Sequence, residues 1–549
     1  MGEAAAHEQA AGRELDAIVI GAGFAGMYMV YQLRELGFAV HGFEAGDDVG
    51  GTWYWNRYPG ARCDSESMYY SYSFLPDLEQ EWPLDERYPG QPVILRYLQH
   101  VADRLNLRKD FTFNAKISSA TYDEAANRWT VRAEDGSTAS ATYLVTAVGC
   151  LSTANVPAFP GAEQFEGLSL HTGNWPHEPV DLAGQRVAVI GTGASGIQAI
   201  PVIAEQAAHL TVFQRTAQFT IPAANGPLDK QFVALWKQNY PEWRRRGRHS
   251  QGGIPYNRST TSALEVSADE RQADFEGAWE QGGFMFAQGT FFDLVIDEEA
   301  NQTAAEFIRA KISEIVRDPA VAEMLKPRTF PFGTKRLPLD TNYYETFNRP
   351  NVTLVDLQAT PIEEITARGI RTGDADYDLD VIVYATGYDA LTGPLLALGI
   401  QGRDGQALAD AWAEGPKTYL GLAVPGFPNL LTITGPGSPS VLSNMPVSIE
   451  QHVEWISSLL AYLREHGVAA IEARPDATEQ WTDHVQEAAS FTLFPKAASW
   501  YMGANIPGKP RLFLPYIGGV GNYRDRCEAI AAAGYEGFEL IGQPAPAVT

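Results

Sequence analysis

Two glycine-rich turns, each set between an apolar strand and a helix, constrain this chain more than any other feature. The first, Gly21-Ala-Gly23-Phe-Ala-Gly26, follows the apolar stretch Leu15–Ile20; the second, Gly191-Thr-Gly193-Ala-Ser-Gly196, follows Arg186–Ile190. Apolar periodicity predicts a helix from Met27 to Leu36 after the first turn and a helix to about Ala208 after the second. Second strands are expected at Phe38 to Phe43 and at Leu210 to Phe213, completing two βαβ units. In such a unit the first glycine permits the tight turn and the second lets a pyrophosphate approach the backbone. The third lets helix and strand pack closely. The helix N-terminus then offers unpaired N–H groups to the phosphates. The fold class expected is therefore α/β, with two Rossmann-like dinucleotide-binding domains.

The two units differ at the residue that meets the ribose. Glu44 ends the second strand of the first unit, 23 residues after Gly21, where a carboxylate accepts hydrogen bonds from a ribose diol. The same count from Gly191 reaches Gln214, with Arg215 next. A carboxylate there would repel a 2′-phosphate, whereas an arginine fork pairs with it. The second site is thus expected to take NADPH rather than NADH.

At 549 residues the chain is too long for one hydrophobic core. No apolar run approaches the length of a membrane span, and Met1–His7 has neither the basic nor the apolar stretch of a signal peptide. A short disordered N-terminal tail is expected. The net charge of −26 argues against nucleic acid or an anionic membrane as a partner. Cys63, Cys150 and Cys527 are far apart and form no C-x-x-C pair, which argues against zinc, disulfides and flavin disulfide reduction. A reducing, cytoplasmic setting is expected.

Between Thr220 and Arg328 the pattern becomes helical. Ser267-Ala-Asp-Glu270 is a capping-box signature, and Ala304 to Val316 carries Ile308, Ile312, Ile315 and Val316 at helical spacing. The run Arg244-Arg-Arg-Gly-Arg248 is read as a solvated helix face. Strand patterns return at Val352 to Leu357 and Leu379 to Tyr384.

Five further runs carry chemistry. Gly50-Gly-Thr52-Trp53-Tyr-Trp55-Asn-Arg57-Tyr-Pro-Gly-Ala-Arg62-Cys-Asp64 follows the first unit. Phe165-Glu-Gly167-Leu-Ser-Leu-His171-Thr-Gly-Asn-Trp175-Pro176 precedes the second. Gly333-Thr-Lys335-Arg336, Ser438-Pro-Ser440-Val441-Leu442-Ser-Asn-Met445 and Ser499-Trp500-Tyr501 lie downstream. In these runs, and over nearly its whole length, the chain resembles the type I flavin-dependent Baeyer–Villiger monooxygenases. The serine-rich loop is most similar to those acting on phenylacetone and on steroids.

The resemblance implies FAD in the first site and NADP in the second. It implies an FAD-binding domain from residues 1–145 and 385–549, and an NADP-binding domain from 152–219 and 331–384. Residues 220–330 would be a helical insertion. By resemblance, Gly21, Gly23, Gly26, Glu44, Thr52, Trp53, Trp55, Arg57, Asp64 and Tyr70 bind FAD. Gly191, Gly193, Gly196, Arg215, Thr216, Lys335 and Trp500 bind NADP. Phe165, Gly167, His171 and Trp175 form a fingerprint at the linker, where His171 couples domain movement to catalysis. Ser440, Val441, Leu442 and Met445 form a turn-rich wall that leaves room for a bulky ketone.

Arg336 is implied as the catalytic arginine, positioned by Asp64. The resemblance implies that NADPH would reduce FAD and that O2 would then form a C4a-peroxyflavin able to attack a ketone and yield an ester or lactone. A guanidinium never loses its proton and stabilises anionic intermediates of this kind. Two alternatives stand beside this reading: a flavin monooxygenase oxidising sulfides or amines, and a non-catalytic flavin-bound sensor. The first usually lacks Trp-Pro at the end of the fingerprint, and the second would be free to lose Arg336 or Asp64.

Overall fold

The structure, a computed structural model, describes residues 14–542. The tail expected at the N-terminus lies outside the described residues. The first unit opens with β1 (Leu15–Ile20), α1 (Phe24–Glu35) and β2 (Val40–Phe43). The helix starts three residues before the expected Met27, because Gly23 caps it directly and the turn itself supplies the first N–H groups. The strand starts later than Phe38, whose N–H closes the helix onto Leu33 O. Strands β3 (Phe111–Thr112), β4 (Ile117–Asp123), β5 (Arg128–Ala133) and β6 (Thr138–Thr146) complete the first passage through this sheet.

The second unit holds β7 (Leu168–His171), β8 (Arg186–Ile190), α2 (Ala194–Gln206) and β9 (His209–Gln214). Helices follow, among them α3 (Tyr240–Arg248), α4 (Ala268–Gln281) and α5 (Glu298–Ile315). The capping box at Ser267 and Glu270 forms as its sequence predicts. Helix α5 starts six residues before the expected Ala304, because the Asp297 carboxylate accepts from Glu299 and Ala300 N–H. The chain then re-enters the second sheet through β10 (Val352–Asp356) and β11 (Val381–Tyr384).

That sheet is all parallel in the order β10-β9-β8-β11-β7. After β11, β12 (Ile400–Gln401) and β13 (Leu430–Thr432) add to the first sheet, and α6 (Met445–Glu465) packs on α1. Strand β6 changes neighbours along its length: Thr138–Ala141 pairs with β5, while Leu144–Thr146 pairs with β13. One long strand therefore ties the antiparallel β4–β5–β6 meander to the parallel sheet.

Phe275, Phe286, Phe291 and Phe307 of the helical segment share one apolar core with β8 and β9. The same segment is bound to the first unit through α3. Arg244 is buried, and its Nε donates to Glu79 Oε1 at 2.6 Å, Nη1 to Tyr69 O and Nη2 to Ser71 Oγ. The arginine run is thus not a solvated face as expected. Its first member is an interior cation and its last, Arg248, donates to Ser73 Oγ. Only a register that alternates buried and exposed positions on a short helix separates them, and composition cannot show that register.

Candidate active site

Both glycine turns have one geometry. Gly21 has φ +106° and Gly191 φ +107°, and their N–H groups bond to Phe43 O and Phe213 O. A Cβ on Gly21 would lie 2.5 Å from Ala147 O, and one on Gly191 2.5 Å from Ala385 O. Gly26 and Gly196 lie against the carbonyls of Gly21 and Gly191, so helix and strand approach as only glycine allows. Gly193 differs: nothing lies within 4 Å of a Cβ built there. The second turn thus presents an open cradle at the N-terminus of α2, between β8 and β11 where the strand order reverses.

Glu44 directly follows β2 and accepts from Ala22 N–H at 2.7 Å and Gly46 N–H at 2.8 Å. Burial raises its carboxyl above the usual range despite these N–H groups. At the matching end of β9, Gln214 donates to Met324 O, and its buried Oε1 has no partner among the described residues. Arg215 and Lys335 stand together here, and among the described residues neither has an acidic partner. Burial, reinforced by the Arg215 charge, pushes the Lys335 ammonium down to about 8. Two neighbouring cations without a counter-charge fit an anion. Thr216 supplies a backbone carbonyl to Thr192 Oγ1.

Within the Gly50–Asp64 run, Trp53 is buried and its indole N–H donates to Tyr70 OH at 3.2 Å. Trp55 is half-buried, Thr52 exposed. Arg57 turns back on its own loop: Nε and Nη2 both donate to Tyr54 O. The run ends at the pair that matters most. Arg336 Nε donates to Asp64 Oδ2 at 3.0 Å, Nη2 reaches the same oxygen, and Nη1 donates to Val441 O at 2.9 Å. Burial opposes the arginine charge, but Asp64 and Tyr501 together outweigh it, and the guanidinium titrates even higher than usual. The Arg336 side chain nevertheless stays 32% exposed. Tyr501, which sequence reasoning passed over in favour of its neighbour Trp500, faces this guanidinium. Its ring centroid is 4.2 Å from that of half-buried Trp500.

His171 lies on the edge strand β7, and its Nδ1 accepts from Gly173 N–H. Its ring packs edge-on to Tyr388 at 6.0 Å, and the Tyr388 hydroxyl donates to Asn56 Oδ1 in the first unit. The fingerprint is thus linked to the Asp64 loop through Tyr388, a residue no motif flagged. Trp175 is buried in the second core, while Phe165 packs on the opposite side of that sheet. A Cβ on Gly167 would lie 2.5 Å from Asp380 O.

The serine-rich loop departs from expectation. Ser440 has φ +42° and is 0% exposed, with its hydroxyl 3.1 Å from Cys150 Sγ. Its side chain is turned into the interior. Small polar residues here are inward-bonded struts, whereas Val441, Leu442 and Met445 join Val295, Leu151 and Trp500 in one apolar cluster.

Residues 18–226 match the family model for pyridine nucleotide-disulphide oxidoreductases. A Baeyer-Villiger monooxygenase of Pseudooceanicola batsensis is 45% identical over 527 residues, covering 95% of this chain and 96% of that protein. The chain belongs to the Baeyer–Villiger monooxygenases. Phenazine N-monooxygenase PhzNO1 of Lysobacter antibioticus is also 45% identical, over 97% of this chain and 98% of that protein. The solved structure of an oxidized steroid monooxygenase bound to NADP superposes with a TM-score of 0.92 at 51% identity, covering 96% of this chain and all of that one, 100%. The disulphide chemistry in the family model's description has no counterpart in this monooxygenase: Cys63, Cys150 and Cys527 are buried and unpaired. Among the described residues, no helix is long and apolar enough to cross a membrane.

Proposed function

We propose that this chain holds FAD at the Gly21 turn and NADPH at the Gly191 turn, and inserts one oxygen of O2 beside a ketone carbonyl to give an ester or lactone. The FAD-binding unit comprises the chain up to about residue 145 and from 385 onward. The NADP-binding unit comprises residues 152–219 and 331–384, with the helical insertion between them. The three unpaired cysteines suit a reducing, cytoplasmic setting.

Gly23, Glu44, Trp53, Trp55 and Tyr70 hold FAD. Gly193 leaves space for the pyrophosphate of NADP, Arg215 and Lys335 clamp its 2′-phosphate, and Trp500 covers the nicotinamide end. When bound, FAD supplies the route by which electrons of NADPH reach O2. The chain's own contribution is electrostatic. Oxygen insertion beside a carbonyl develops oxyanionic charge, and Arg336 meets it with a guanidinium already fixed on Asp64 and Val441 O. Fixed donors of this kind cost no reorganisation as the charge develops.

The observation that carries this reading is the Arg336–Asp64 pair, which draws together three distant chain segments around a half-open cation. Arg336→Ala is expected to lose ester formation by at least about 100-fold while still oxidising NADPH. Product analysis by mass spectrometry beside NADPH absorbance separates the two steps, and full ester yield from the variant would refute the assignment. The phenazine N-monooxygenase relative supports a second activity on heteroatoms. Assays with a thioether and an aromatic N-heterocycle test it.

A further inference from the structure

Resting on that reading, we propose that Gln198 is a positioning residue: it registers the Asp64 loop against α2, so that filling the second dinucleotide site sets the Asp64–Arg336 pair. Gln198 lies one turn inside α2, the helix whose N-terminus forms the open cradle. Its side-chain amide treats Arg62 as a neighbouring strand would. Oε1 accepts from Arg62 N–H at 3.3 Å and Nε2 donates to Arg62 O at 3.0 Å. The same Oε1 accepts from the Tyr58 hydroxyl at 2.8 Å.

The helix backbone presses on the loop as well. Gly60 has φ +82°, and a Cβ there would lie 2.3 Å from Gln198 O. Gly60 is thus required twice over, by its backbone conformation and by the close approach. Residues Tyr58, Gly60 and Arg62 are therefore gripped by a single helical position, two residues before Asp64. Asp64 in turn holds Arg336 by Nε and Nη2. The path from cradle to guanidinium runs through one rigid helical turn, one amide and one short loop.

A ligand that orders the N-terminus of α2 thereby orders the loop, without touching it. An amide is suited to this role, since it donates and accepts at once and carries no charge toward the nearby ion pair. Methionine has almost the same length and shape but can make none of these bonds.

The test is hydrogen–deuterium exchange with and without NADP+ on the FAD-loaded enzyme. In the wild type NADP+ is expected to slow exchange both in residues 191–197 and in 57–64. In Gln198→Met protection of 191–197 should persist while that of 57–64 falls about tenfold, the loss of a few buried hydrogen bonds. Ester formed per NADPH consumed should fall by about tenfold through misplaced charge, with KM for NADPH changed less than about threefold. Gln198→Glu keeps the acceptor for Tyr58 and Arg62 N–H, loses the donor, and should fall between; it also serves if the methionine variant melts early. Undiminished protection of 57–64 in Gln198→Met, or none in the wild type, overturns the proposal. Absence of protection at 191–197 in the wild type instead overturns the NADP reading beneath it.

Discussion

Lys335 and Arg215 make coenzyme choice a matter of charge. With no acid beside them among the described residues, the pair repels itself, and a 2′-phosphate would relieve that repulsion. Removing one charge-assisted contact in Arg215→Ala should cost about 1.5–3 kcal/mol, or roughly ten- to a hundredfold in NADPH affinity, with NADH little affected. KM for both coenzymes measures this, and a wild type without preference would refute it. A pH dependence follows. The Lys335 ammonium titrates near 8 because burial and Arg215 oppose its charge. The phosphate dianion restores that charge, so the bound state has the higher pKa and binding takes up a proton above pH 8. NADP+ affinity should hold steady below that pH and weaken as pH climbs beyond it. Lys335→Arg, always charged, should flatten the decline; calorimetry from pH 7 to 10 tests both, and a flat wild-type profile would count against the clamp.

At the scale of elements, the two glycine turns separate folding from binding. Gly196→Ala would place a methyl 2.3 Å from Gly191 O and should destabilise the unit. Gly193→Ala meets no protein atom within 4 Å, so its melting temperature without ligand should match the wild type. NADP+ affinity should nevertheless drop, because the methyl occupies the pyrophosphate approach. Equal NADP+ binding by Gly193→Ala would remove this turn from the cofactor site. The α3 latch is a different kind of element, invisible in composition. Arg244→Met leaves buried Glu79 unpaired, on the order of 3–5 kcal/mol of destabilisation, and should lower the melting temperature. Glu79→Met added to it should recover much of the loss. Additive losses in that double-mutant cycle would show that the pair is not coupled. These cases mark what could be read beforehand. The βαβ units were legible because strand, glycine spacing and helix are local and periodic. So were the places of Glu44 and Arg215 directly after the second strand of each unit, at a fixed count from each turn. The interior place of Arg244, the inward turn of Ser440 and the reach of Gln198 were not, since each depends on a partner more than 130 residues away in the chain.

For the whole molecule, the apolar cluster around Val441, next to Arg336, is the feature that no single segment owns. Leu151 follows the first unit's meander, Val295 comes from the helical insertion, and Leu442, Met445 and Trp500 belong to the last third of the chain. The backbone of Leu493 donates to Val295 O, and a Cβ on Gly333 would lie 3.2 Å from the Val295 side chain. The insertion and the C-terminal segment therefore close together beside the loop that carries Arg336. As a proposed substrate wall, this cluster would recognise apolar area rather than a particular polar group. Each additional 50 Å2 of apolar surface that a ketone buries there should gain about 1 kcal/mol, roughly a factor of five to ten in KM. Aryl and polycyclic ketones should therefore show lower KM values than acetone or cyclopentanone. Because Ser440 faces Cys150 and Thr434, enlarging it should disturb folding first. Leu442, half-buried in the cluster, is the position to change. Leu442→Trp should raise KM for the bulky ketones first and leave acetone nearly unaffected, while Leu442→Ala should do the reverse. A KM series that instead favours the small ketones in the wild type, or that moves equally for all substrates in both variants, would exclude a size-selective apolar wall and leave the oxygenation chemistry at Arg336 untouched.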